Sequence, residues 1–91
     1  MIPLTPFNEP FYTLEQAAEK LGWSKHNTSQ RAPLCGFERI ASGIYTQRTV
    51  DRYILARELT EQARIDGYTA RGLLWPDENG KAFWGGHVYS K

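Results

Sequence analysis

The chain has 91 residues, with eleven Lys and Arg against ten Asp and Glu and a formal net charge of +1, so neither a basic nor an acidic field announces a partner. One cysteine, Cys35, excludes an internal disulfide framework and points to a reducing, cytoplasmic setting, while Cys35, His26 and His87 lie too scattered for a zinc site. The short apolar runs exclude a membrane span, the start MIPLTPFNEP lacks the parts of a signal peptide, and 41% hydrophobic content suffices for one modest core.

Residues 1–11 hold Pro3, Pro6 and Pro10, which favour an extended N-terminal arm. Ile2, Leu4, Phe7 and Phe11 are its candidate anchors. Thr13 and Gln16 then fit a capping box. Leu14, Ala17, Ala18 and Leu21 follow at helical spacing, and Gly22 stands where that helix should stop. Ser24 is an N-cap for a second short helix from Lys25, closed by Pro33. The apolar Trp23 at the turn is expected to plug the core between the two helices.

Phe37–Ile40 and Gly43–Thr46 read as a short hairpin turning at Ala41-Ser42-Gly43. A longer helix is expected over roughly 47–66, capped by Thr46 or Thr49 and ended by Gly67. It carries two stripes. Val50, Tyr53 and Ile54 form one, and Leu55, Leu59 and Ala63 form the other. The second stripe should face either the C-terminal tail or a second copy of the chain. The tail, 67–91, has two apolar clusters, Leu73-Leu74-Trp75 and Ala82-Phe83-Trp84, with the turn signal Asn79-Gly80 between them. A terminal hairpin is expected there, with Gly85-Gly86 loosening the chain beyond it.

The order helix, tight turn, short helix, hairpin, helix resembles winged helix-turn-helix domains of the MerR and excisionase type. Thr13, Ala17, Ala18, Gly22, Trp23 and Ser24 carry the resemblance, and FERIASGIYTQRTVDRYI looks like the family's wing and third helix. The likeness covers about residues 11–57. It implies an α+β fold: a winged helix-turn-helix domain over 12–66, with a wing hairpin, a longer third helix and a C-terminal hairpin or extended tail.

It also implies double-stranded DNA as the partner, with the second helix reading bases in the major groove. Lys25, His26, Asn27, Ser29, Gln30 and Arg31 are then the candidate readers, because Gln and Asn suit adenine and Arg or Lys suits guanine. The alternative for these residues is an ordinary solvated helix face. Arg39 and Ser42 would hold phosphates from the wing, or simply form a surface turn. Arg48 and Arg52 would contact phosphates, or pair with Asp51 and Glu38. From Lys25 to Arg52 five basic residues stand against two acidic ones, a local excess on the segment that resembles a DNA reader.

Two functions remain open. One is a small phage or mobile-element regulator or excisionase-like factor, binding DNA as a homodimer or cooperative oligomer. The other is a protein-interaction module on the same scaffold, a phage-encoded inhibitor or adaptor meeting a host or phage protein. There Leu59, Ala63, Trp75, Phe83 and Trp84 would make the contact, since aromatics concentrate at interface centres. No paired carboxylates, phosphate loop or nucleophile triad can be assembled, so neither enzyme activity nor a cofactor nor a catalytic metal is expected.

Overall fold

The structure is a computed structural model, described here for residues 10–69 and 72–90. The expected anchors Ile2, Leu4 and Phe7 lie outside the described residues. The elements run β1 (Phe11–Thr13), α1 (Leu14–Leu21), α2 (Lys25–Arg31), β2 (Arg39–Ala41), β3 (Ile44–Thr46), α3 (Gln47–Ile65), β4 (Lys81–Trp84) and β5 (His87–Ser90). This is the expected α+β arrangement of helices and hairpins. The chain forms two compact units, Met1–Asp51 and Arg52–Lys91, which divide inside α3. The boundary expected after residue 66 therefore falls within the second unit.

In the first unit β1, β3 and β2 form an antiparallel sheet in that order. Phe11 pairs with Thr46, Tyr12 with Tyr45 and Thr13 with Ile44. The hairpin strands start later than expected, leaving Phe37 buried ahead of β2, and a bulge interrupts the register between Arg39 and Ala41. Thr13 caps α1: its hydroxyl accepts the Gln16 backbone N–H at 3.2 Å, and the Gln16 side-chain Oε1 accepts the Thr13 backbone N–H at 3.0 Å. Gly22 ends that helix at φ 74°, a left-handed conformation that costs glycine nothing. Ser24 caps α2, accepting the Asn27 N–H at 3.1 Å. Ala17, Ala18, Leu21, Thr28, Ala32, Tyr45 and Val50 are buried in this unit, and Phe37 meets Tyr45 edge-on at 6.1 Å.

Thr46 fills the capping role at the start of α3, its hydroxyl taking the Thr49 N–H at 3.4 Å. Thr49 accepts the Glu38 N–H at 3.0 Å and so ties the hairpin to the helix.

In the second unit Leu59 and Ala63 of α3 are packed with Ala82 and Tyr89 of the terminal hairpin. The tail thus covers the second stripe of the helix. The hairpin is not the one the sequence suggested. Its turn is Gly85-Gly86, whose positive φ angles of 57° and 82° suit the tight mirror-image turn between two strands. Asn79-Gly80 belongs to a separate turn before β4. There the Asp77 carboxylate accepts the Asn79 and Lys81 N–H groups at 2.8 and 3.0 Å. Leu73–Pro76 is consequently not a strand. Among the described residues no helix is long and apolar enough to cross a membrane.

Candidate nucleic-acid interface

Successive residues of a helix are rotated by about 100°. Thr28 is fully buried and sets the inward direction of α2. His26 and Gln30 then point most directly outward, one turn apart, and both are exposed. Lys25 and Ser29 fall on one flank of this ridge, Asn27 and Arg31 on the other. All six expected readers are exposed, and the ridge that they form is wholly polar.

The two flanks differ in what they meet. On the first, Ser29 and Arg39 line one cavity of about 200 Å³ with Ala32, Pro33, Phe37 and Tyr45. The hairpin and the short helix thus share a notch, with a hydroxyl and a guanidinium on apolar walls. Lys25 is drawn toward Glu15 of α1 at 3.7 Å, an exposed and weak pair. On the second flank the Arg31 guanidinium lies over the Trp23 ring, 5.0 Å from its centroid. Among the described residues, neither Arg31 nor Arg39 has an acidic partner.

The remaining basic candidates are engaged elsewhere. Arg48 bonds the Glu38 carboxylate at 2.8 Å, the pairing foreseen as one of its alternatives. Arg52 does not make the ion pair suggested for it among the described residues. It donates to the Pro76 carbonyl at 3.3 Å and lies over the Trp75 ring, 5.2 Å from its centroid, within the second unit. Asp51, its suggested partner, accepts instead from the Tyr12 hydroxyl at 2.9 Å. Ser42 is exposed at the hairpin turn but does not line the notch. That turn is held against the start of α1, where the Leu14 N–H donates to the Gly43 carbonyl at 2.8 Å.

The candidate partner surface also needs correction. Leu59 and Ala63 are 1% and 0% exposed, because Ala82 and Tyr89 cover them. Trp84 packs half-buried on the same core and meets Tyr68 edge-on at 4.8 Å. Phe83 remains outward, 64% exposed, directly across the hairpin from Val88 at 53%. Trp75 is 40% exposed beneath Arg52.

Two features escaped the sequence. Trp23 is only half-buried and carries Arg31, so it is not the full core plug expected of it. Nothing in the spacing of Trp23 and Arg31 announces this, because the contact depends on how α2 leaves its turn. The second is a groove of about 650 Å³ lined by Phe11, Tyr12, Thr13, Gln16, Glu19, Lys20 and Gln47. Lys20 stands 5.1 Å over the Tyr12 ring there. Burial and the Asp51 carboxylate push the Tyr12 hydroxyl pKa up, and the Tyr12 hydroxyl in turn raises that of Lys20. The Gln47 amide donates to the Phe11 carbonyl at 3.3 Å and Gln16 takes the Thr13 N–H, so side chains occupy the outer edge of β1.

No group of three or more His, Cys, Asp or Glu is arranged to hold a metal among the described residues. Comparison with known proteins finds no matching family model, curated protein or solved structure.

Proposed function

We propose that the chain is a small cytoplasmic DNA-binding protein that reads a short duplex site through α2. The observation that carries this reading is the bracketed ridge: exposed His26 and Gln30 on the outermost line of the helix, with an arginine on each side that has no acidic partner among the described residues. A helix seated in the major groove has base edges ahead of it and a phosphate strand on either flank. Gln30 suits adenine there, and Arg31 and Arg39 suit the two backbones. A role as a phage or mobile-element regulator or excisionase-like factor follows from the resemblance over residues 11–57. A single module of this size buries little surface, so a specific site calls for two or more copies acting together.

The test is a titration of labelled random-sequence duplex by the full chain at low and moderate salt, followed by the double variant Arg31→Ala/Arg39→Ala. Retardation that weakens with salt and is reduced in the variant is the expected result. No binding by the native protein at low salt sinks the reading.

The outward pair Phe83 and Val88 favours the second reading, a module that binds another protein. The substitutions Phe83→Ser and Val88→Ser discriminate: they should leave duplex binding unchanged and abolish partner binding if that reading holds.

A further inference from the structure

Trp23 holds Arg31 ready for a phosphate, and we infer that it is a positioning residue of the DNA-binding surface; the inference rests on the function proposed above. Arg31 sits in the last turn of α2 with its guanidinium 5.0 Å from the Trp23 ring centroid. No carboxylate competes for it among the described residues. A guanidinium carries five N–H donors, more than one aromatic contact occupies. Phosphate oxygens are bound by such donors. The contact with the ring and a phosphate contact are therefore compatible, whereas a carboxylate pair would satisfy the same charge and donors.

The brace also lowers the ordering cost of binding. A long exposed arginine loses rotamer freedom when it grips a phosphate, and a side chain already held loses less. Trp23 is suited to this because its main chain is fixed, the backbone N–H donating to the Ala18 carbonyl at 3.0 Å, and its side chain is half-buried at the turn before α2. Arg39, on the opposite flank, has no such support among the described residues. The ridge is thus bracketed by one prepared arginine and one loose one.

A double-mutant cycle on the full chain tests this, with a labelled random-sequence duplex as the probe. Trp23→Leu should weaken binding by about two- to fivefold, the range of an exposed cation–aromatic contact. Trp23→Phe, which keeps a ring, should restore most of it. Arg31→Ala should weaken binding further and lower the salt slope by about 1. Adding Trp23→Leu to Arg31→Ala should change nothing more. A merely structural tryptophan would weaken both backgrounds equally, and that outcome overturns the inference while leaving the DNA-binding reading intact. Arg31→Lys guards against a Trp23→Leu chain that does not fold, since it keeps the charge and loses the guanidinium that lies over the ring. It should weaken binding in the native background, and unchanged affinity there also overturns the brace. If the native chain binds no duplex at low salt, both readings fall together. In that case the upfield ring-current shift of the Arg31 side-chain protons shows whether the stack itself exists.

Discussion

Tyr12 joins three parts of the first unit through one hydroxyl. It stands on β1, donates to Asp51 of α3 at 2.9 Å and lies under Lys20 of α1. Replacing it by Phe keeps the buried ring and removes that bond, so Tyr12→Phe should cost about 1 kcal/mol of stability near neutral pH. The Tyr12 pKa is raised in the folded state, chiefly by burial and then by Asp51. A raised pKa means that the folded state holds the proton more tightly. The resulting stability is complete below the unfolded value of about 10 and disappears as pH rises through the folded one. Urea midpoints at pH 7 and above pH 10 check this. The native chain should lose more stability across that interval than Tyr12→Phe, and equal losses would exclude the role. Pairings of this kind were not legible in the sequence, where Asp51 was matched to its neighbours Arg48 and Arg52. Helix neighbours are easy to propose, but Tyr12 is 39 residues away from Asp51.

At the scale of the element, local chemistry was readable and long-range chemistry was not. Thr13 with Gln16, Gly22 and Ser24 act within a few residues of themselves, and each does in the fold what its sequence position suggests. A Cβ at Gly22 would meet nothing within 4 Å, so Gly22→Ala should cost only the backbone strain of φ 74°, about 1–2 kcal/mol. Thermal unfolding measures it, and a loss far beyond that range would mean that packing, not dihedral strain, governs the turn. The C-terminal hairpin shows the opposite case. Asn79-Gly80 and Gly85-Gly86 both carry turn chemistry, and composition alone does not say which closes a hairpin. Asp77 decides it by capturing the Asn79 and Lys81 amides, which bends the chain before β4 begins. The same amides hold its carboxyl pKa below the ordinary value. That support is present above the unfolded pKa and is lost as pH falls through the folded one. Asp77→Ala should therefore speed amide exchange at Asn79 and Lys81 at pH 6 while leaving α2 unaffected. Unchanged exchange at those two amides would show that the bracket contributes nothing.

Across the whole molecule, the near-zero net charge conceals an uneven distribution of usable cations. Five basic residues lie between Lys25 and Arg52, and the fold divides them by availability. Lys25 and Arg48 face Glu15 and Glu38 in exposed pairs that cost little to break. Arg52 is bound into the second unit by Pro76 and Trp75. Among the described residues Arg31 and Arg39 remain without acids, on opposite flanks of the polar ridge. Each phosphate neutralised contributes about −0.9 to the slope of log affinity against log salt. Two arginines alone give a slope near −2, and release of Lys25 and Arg48 from their pairs takes it toward −4, on the order of 0.9 per contact. A single copy should therefore bind random duplex with a dissociation constant no tighter than the range of roughly 10⁻⁴–10⁻⁶ M typical of non-specific binding at physiological salt. Fluorescence anisotropy over a salt series measures the slope directly. A value between those limits, flattened by about 2 in Arg31→Ala/Arg39→Ala, is expected on the same count of contacts. A much steeper slope per copy would mean that cations outside α2 and its hairpin dominate, and that the bracketed ridge is not the principal contact.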